Sequence, residues 1–389
     1  MIAPTPYFSD RGCHVRIYEE AKALQSKGHA VKIVTYHNGR DLEPVAVERI
    51  ANVPWYRKQE AGPSWHKPYL DLMLILKSWQ VAKKFRPDVV HAHLHEGVCV
   101  GWPVAKLLGI PLVFDYQGSL SGECLNHGFF RKGGCLHRAF STFELIINRT
   151  ADYIITSSSA AAKELVADWG IAADKVKGFP DGVDTSFFKP APKKLARVRM
   201  AEAIGRDLPE DRPIIIYLGL LNSYQGTDLL LDAALRLKSA DVRFHLVVMG
   251  FPDEEYRAMS ESMGLNDCVS FTGKIIYSDA PLLLSAGDLA VAPKLSLTEA
   301  NGKLLNYMAT GLPSVVFESD VNRELLGDSA VYVKTGEADL FAKAIESLLS
   351  DSERLSQYSK MTRERAIEIH SWDSRSELLG AVYSSLLKE

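Results

Sequence analysis

Short apolar runs rich in β-branched residues alternate along this chain with stretches whose apolar positions recur at helical spacing. That alternation predicts βαβ units built around a parallel sheet. In the first half, residues 31–36, 88–91, 111–116 and 153–157 read as buried strands. Over residues 15–27, Ile17, Ala21 and Leu24 recur at helical spacing, and Gly28 supplies the stop. Only residues 1–4 precede the turn at 7–12, so either the first strand is stunted or the chain begins a few residues late, and the latter is the expectation. The pattern restarts at residues 213–219, a buried strand followed by a helix from Thr227. Further strands are predicted at 244–249, 269–272, 289–292, 314–317 and 330–333. Between the two series, residues 184–212 are rich in Pro, Lys and Asp and weakly periodic, which predicts a linker.

The fold class is therefore α/β: two doubly wound domains, residues 1–185 and 186–370. An amphipathic helix near 373–387, within residues 371–389, is expected to pack back on the first domain. Ligands of such sheets gather beyond the C-terminal strand ends, so function is expected in the loops there, in a cleft between the domains.

Composition narrows the function classes. A chain of 389 residues suits two domains, and 47% hydrophobic with 24% charged residues is ordinary globular usage. The net charge of -3 argues against a nucleic-acid-coating protein. Five irregularly spaced cysteines fit a reducing compartment better than a disulfide framework. No apolar run reaches membrane-spanning length, and the longest, residues 70–76, is cut by Lys77. The N-terminus shows no basic leader followed by an apolar core, so a cytoplasmic protein is expected.

The most informative stretch is residues 286–316, AGDLAVAPKLSLTEANGKLLNYMATGLPSVV. A strand ends at Pro293, a loop carries Glu299, Asn301 and Gly302, and a helix runs from about Lys303 to Thr310 before Gly311 stops it. A helix N-terminus offers backbone N–H groups to a phosphate, Lys303 adds positive charge, and Glu299 suits sugar hydroxyls. On spacing alone, Glu299 as a capping acid and Lys303 as a solvated residue weigh equally.

This stretch resembles the donor-site signature of the family 4 retaining glycosyltransferases, in which an acidic loop residue precedes a helix reading like KLLEYMA and then G-x-P-V-V. DRGCHVRIYEEAKALQSKGHAVKIVT resembles the family's N-terminal glycine loop, helix and strand. PDVVHAH, ADYIITSSSAAAKEL, PDGVDTSFFKP and YLGLLNSYQGTDLLLDAAL also match in order, so the resemblance covers nearly the whole chain. It implies the GT-B architecture, two Rossmann-like domains facing across a cleft, the first on the acceptor side and the second binding the donor. It also implies transfer without metal or other cofactor, the donor's leaving phosphate taking the acceptor proton while the protein positions both partners and stabilises charge.

By resemblance, Glu299 sits by the donor sugar, with Gln117 and Gly12 near the reacting centre. Asn301, Gly302, Lys303, Leu304, Asn306, Lys294, Gly219, Gln225 and Gly226 form the donor set, and Arg11, His14, His93, Glu123 and His127 fall on the acceptor side. Three departures stand out. Asn306 replaces the family's usual second glutamate, and Gln117 replaces a frequent histidine. Leu220 and Gln225 replace the Arg and Lys that usually neutralise the diphosphate, leaving Lys274, Lys294, Lys303 and Arg11 as candidate substitutes.

Other patterns carry less. Cys124, His127, Cys135 and His137 are close in sequence, but their spacing matches no common zinc site, and a glycine-rich acceptor-side loop is the better reading. His91, His93 and His95 alternate, which would put all three on one face of an extended segment; acceptor or structural roles are favoured over a metal. Trp55, Tyr56, Trp65 and Tyr69 interleave with Arg57, Lys58 and Lys67 ahead of a helix, a pattern suited to peripheral contact with the inner membrane face. Packing of Leu72, Ile75, Leu76 and Trp79 on the sheet is the favoured reading of that helix.

The leading reading is a hexosyltransferase acting from a phosphate-activated donor, with a nucleoside diphosphate favoured, on a glycan or lipid-linked saccharide. A GT-B phosphorylase or nucleotide-sugar epimerase is the rival within enzymes. A different donor, or a glycan- or nucleotide-binding homologue that has lost turnover, is the reading that Leu220, Gln225 and Gln117 favour.

Overall fold

The computed structural model describes residues 1–9, 12–58, 64–126, 128–296 and 301–388. The chain divides into two compact units, Met1–Asp181 with Trp372–Glu389, and Gly182–Ser371.

Unit 1 begins with β1 (Ile2–Ala3), α1 (Gly12–Ser26), β2 (Lys32–Thr35), β3 (Ala46–Arg49) and α2 (Lys67–Phe85). It continues with β4 (Val90–His93), α3 (Leu94–Leu108), β5 (Leu112–Tyr116), α4 (Leu120–Asn126) and α5 (Cys135–Thr150). Then come β6 (Tyr153–Thr156), α6 (Ser159–Ala167) and β7 (Val176–Gly178). Among the described residues these strands form one parallel sheet in the order β3-β2-β1-β4-β5-β6-β7.

Unit 2 opens with α7 (Lys193–Ile204), β8 (Ile214–Leu218), α8 (Thr227–Ser239), β9 (His245–Met249), α9 (Glu254–Ser262) and β10 (Val269–Gly273). It continues through α10 (Ala280–Leu284), β11 (Leu289–Ala292), α11 (Lys303–Ala309), β12 (Ser314–Phe317) and α12 (Asp320–Leu326). It closes with β13 (Ala330–Val333), α13 (Ala338–Leu349) and α14 (Ser352–Ile369). Its described strands form a parallel sheet in the order β10-β9-β8-β11-β12-β13. The last helix, α15 (Trp372–Leu386), returns to unit 1 and packs on α1.

The central strands are buried because helices cover both sheet faces, and they read as apolar runs except where β4 carries His91 and His93 and β5 carries Asp115. Every residue of β5 and β9 is buried. On one face of the unit 1 sheet, α2, α3 and α5 bury Leu70, Leu74, Val98, Val104 and Ile147 against Phe114 and Ile154. On the other, Leu24 of α1 and Leu379 of α15 close over Val113, Ile155 and Phe179.

Three sequence expectations change. The segment 184–212 is not simply a linker, because α7 lies inside it. Its buried stripe is only Ala196 and Met200, too thin to show as periodicity. The strand expected at 88–91, β4 of the fold, begins at Val90, two residues later than expected. On α2 the inward stripe is Leu70, Leu74, Ser78 and Val81, which turns Leu72 and Leu76 outward while Ile75 and Trp79 pack partly against the core.

Candidate functional site

In unit 2, β8 ends at Leu218, and from Gly219 the chain turns towards α8. The crossing is tight: a Cβ on Gly250 would lie 1.9 Å from Gly219 O, and one on Gly226 would lie 1.9 Å from Pro293 O. Asn222 accepts the Gln225 N–H through its side-chain oxygen at 2.8 Å, and Gly226 (φ 76°) turns the chain into α8. The N-cap residue of that helix is Gly226, which has no side chain to cap it, so its N-terminal N–H groups and positive dipole end face the turn.

Lys303, the first residue of α11, points into this turn. Its ammonium donates to Gln225 Oε1 at 3.0 Å and Tyr217 Oη at 3.2 Å, and lies 4.3 Å from the Tyr217 ring centroid. Tyr217 in turn donates to Leu220 O at 2.8 Å. A Cβ on Gly219 would come 2.8 Å from the Lys303 Nζ, so the glycine makes room for the ammonium. Burial, and then the charge of Lys294, push the Lys303 amine well below the usual lysine range. Lys294 itself is buried just past β11, and Lys274 follows β10 with its ammonium over the Phe251 ring. Three lysines and an open helix N-terminus thus gather on residues following the C-terminal strand ends, an arrangement that can hold an anion.

The rest of the predicted donor set divides. Asn301 is buried, donates to Asn322 Oδ1 at 3.1 Å, and has a side-chain oxygen without a partner among the described residues. Gly302 is exposed and Asn306 half-buried. The Leu304 side chain is fully buried on the inward side of α11, among the core residues. Leu220 is partly exposed in the turn where the sequence puts an apolar residue in place of a cation. Glu299, Arg11 and His127 lie outside the described residues.

Unit 1 centres on a carboxylate that sequence reading missed. Asp115, near the end of β5 and fully buried, receives Arg16 Nη2 at 2.8 Å, Arg16 Nε at 3.0 Å, His93 Nδ1 at 2.8 Å and Gln117 Nε2 at 2.8 Å. Burial works to raise its carboxyl, but the Arg16 charge and the His93 hydrogen bond hold it well below the carboxylate range. Arg16 also donates to Phe179 O at 3.3 Å and pairs with Asp181, tying α1 to β5 and to the end of β7. Gln117 is thereby oriented by Asp115. The signal was available: Arg16 and Glu20 stand one turn apart on the buried side of α1, and Asp115 interrupts an apolar strand.

His93 is fully buried and His14 is enclosed, with its ring nitrogens bonded to Thr5, Ser9 N and Ser9 Oγ. Both positions, expected on the acceptor side, are hydrogen-bonded within the unit, His14 to the loop after β1 and His93 to Asp115. Leu94 adopts φ 63° and ends the strand, so His95 leaves the His91–His93 face and lies 3.5 Å from Glu144. Glu144 accepts from Leu120 N at 3.0 Å and Ser121 N at 2.8 Å, capping α4, which carries exposed Glu123. Gly12 opens α1 and is exposed.

The rings of His91 and His93 stack at 4.6 Å, and Glu20 lies 3.3 Å from His91. Glu20, His91, His93 and Asp115 bring ligand-type atoms within 4.8 Å of one another. Arg16 already supplies the positive charge at Asp115, and burial followed by the Asp115 charge raises the Glu20 carboxyl well above its usual range. Burial therefore favours the uncharged form of Glu20 within the cluster. Cys124 is buried on α4, while Cys135 and His137 lie at the start of α5, outside this cluster.

Residues 11–187 match the pattern described as Glycosyltransferase Family 4, and residues 202–365 match Glycosyl transferases group 1. D-inositol 3-phosphate glycosyltransferase of Acidothermus cellulolyticus is 25% identical, the match covering 97% of this chain and 86% of the relative. Sucrose-phosphate synthase from Thermosynechococcus elongatus superposes with a TM-score of 0.82 at 19% identity, over 99% of this chain and 96% of that one. Anabaena HepE, solved with UDP and glucose, superposes with a TM-score of 0.78 at 18% identity, over 99% and 98%.

Proposed function

The chain belongs to the family 4, group 1 glycosyltransferases of the GT-B fold, and from that premise we propose a retaining, metal-independent hexosyltransferase. Its donor is a nucleoside diphosphate sugar, and its acceptor is a hydroxyl of a glycan or lipid-linked saccharide. The observation that carries the donor assignment is Lys303, whose ammonium rests on two neutral acceptors beside an uncapped helix N-terminus. A diphosphate supplies the missing counter-charge, so Lys303, with Lys294 and Lys274, takes the part of the Arg and Lys replaced by Leu220 and Gln225. HepE, solved with UDP and glucose, is a relative by fold in keeping with this donor class.

In this reading Asn301 and Gly302 hold sugar and phosphate, and Asn306 meets the nucleoside. Glu299 orients the sugar, and Gln117 presents its amide oxygen near the reacting centre. The leaving phosphate takes the acceptor proton, so the protein contributes position and charge stabilisation. The residues before and along α2 make peripheral contact with the inner face of the membrane from the cytoplasmic side.

A thermal-shift series in EDTA tests the donor assignment, using UDP, GDP, ADP, CDP, their sugar conjugates and simple sugar phosphates. At a ligand concentration about 100 times Kd, stabilisation is about 2.7 kcal/mol, a rise of roughly 5–10 °C for a unit of this size. Lys303→Met should weaken the selected nucleotide by roughly 10–100-fold, the loss of one charge-assisted hydrogen bond. Glu299→Ala should abolish transfer while keeping nucleotide binding. An unchanged response in Lys303→Met removes that residue from the phosphate site. Silence towards every nucleotide favours the second reading, a different donor or a binding protein without turnover, which Leu220 and Gln225 support.

A further inference from the structure

Helices α2, α3 and α5 cover one face of the unit 1 sheet, with α3 packed between the other two. Their outer sides carry large apolar side chains. Leu72 and Leu76 stand one turn apart on α2, and Trp102 and Leu107 are exposed on α3. On α5, exposed Leu136, Phe143 and Ile146 follow helical spacing, while Glu144, Ile147 and Asn148 face inward. Trp65, 88% exposed just before α2, meets Phe129 of the segment before α5 with ring centroids 6.4 Å apart. Exposed apolar groups on three neighbouring helices mark an interaction surface rather than scattered side chains.

Charge identifies the partner. Residues 67–85, 94–108 and 128–150 carry nine Lys and Arg against three acids, in a chain whose net charge is -3. None of the three acids is exposed: Asp71 accepts from Tyr36, Glu96 pairs with Lys67, and Glu144 is buried under the start of α4. Lys83 and Lys106 lie over the rings of Trp79 and Trp102, joining cation to aromatic as a headgroup layer requires. A second copy would set this basic face against an identical one, which like charges disfavour.

We propose that the outer face of α2, α3 and α5 docks on an anionic lipid bilayer, its aromatic and aliphatic side chains entering the headgroup boundary and its cations meeting lipid phosphates. The surface extends the peripheral contact assigned above to α2 and rests on that part of the reading. It needs no turnover.

Sedimentation of the full chain with sucrose-loaded vesicles tests it, comparing phosphatidylcholine alone with phosphatidylcholine plus phosphatidylglycerol. The protein should sediment with the anionic vesicles and stay in solution with the neutral ones. Lys106→Gln combined with Arg138→Gln should weaken partition by roughly thirtyfold. Phe143→Ser combined with Ile146→Ser should weaken it at least about tenfold. Both variants should keep the parent's thermal transition and its response to nucleotide. Failure to sediment with anionic vesicles overturns the proposal, as does unweakened binding by either variant. A dimer abolished by Phe143→Ser, in protein that ignores vesicles, assigns the face to self-association instead. Nucleotide binding without vesicle binding overturns the membrane face alone, and vesicle binding without nucleotide binding overturns the donor assignment alone.

Discussion

Glu20 shows how much one side chain can ask of its surroundings. Both its carboxylate oxygens are buried without a hydrogen-bond partner among the described residues, His91 Nδ1 approaching one of them to 3.3 Å, and burial followed by the Asp115 charge favours its protonated form in the folded protein. The unfolded chain releases that proton near the ordinary glutamate value of about 4.3. Above that pH the folded state binds more protons than the unfolded one, so stability falls as pH rises towards the raised folded value. Glu20→Gln removes this dependence. It should raise the melting temperature at pH 8 by at least about 1 kcal/mol of stability, roughly 2–4 °C, with the gain shrinking towards pH 4. Equal gains at both pH values would assign the effect to packing. Residues of this kind were the least legible in the sequence: Arg16, Glu20 and Asp115 are ordinary charges until the fold brings together positions about a hundred residues apart. The Lys303 neighbourhood was more legible, because its motif is local, although its contact with Gln225 spans 78 residues.

At the scale of elements, the central strands were legible because both their faces are covered and most of their residues are apolar, His91, His93 and Asp115 being the exceptions. The edge strands β3 and β7 were not: β3 is only half-buried and β7 is three residues long. The turn from β8 to α8 shows the opposite, a short element dictated by its glycines. Gly226 combines positive φ with a backbone oxygen where a side chain would go, whereas Gly336 has φ 84° and open space around it. Gly226→Ala should therefore cost roughly 3 kcal/mol and weaken nucleotide binding, and Gly336→Ala only about 1 kcal/mol. Comparison of the two in urea unfolding separates the clash from the conformational term. Equal losses would mean that the Pro293 approach relaxes freely.

On the scale of the whole molecule, the two units differ in continuity. Unit 2 is one stretch, and its entering and leaving segments pair, Val183 N donating to His370 O at 2.8 Å. Unit 1 is interrupted, and α15 supplies Leu379 and Val382 to it. Residues 182–371 alone should therefore unfold cooperatively and retain nucleotide binding. Residues 1–181 alone should expose Leu24, Val113 and Ile155 and lack a sharp thermal transition. A sharp transition in the shorter fragment would reduce α15 to an accessory.

That interruption sets an order of assembly on the ribosome. Unit 2 has all of its own segments once Ser371 has been made, whereas the sheet that was synthesised first must wait for α15. At ordinary elongation speeds the interval between Asp181 and Leu386 is roughly 10 to 40 s. During it the nascent unit 1 holds an unfinished apolar face, a natural station for a chaperone, and the half that appears first is the last to mature.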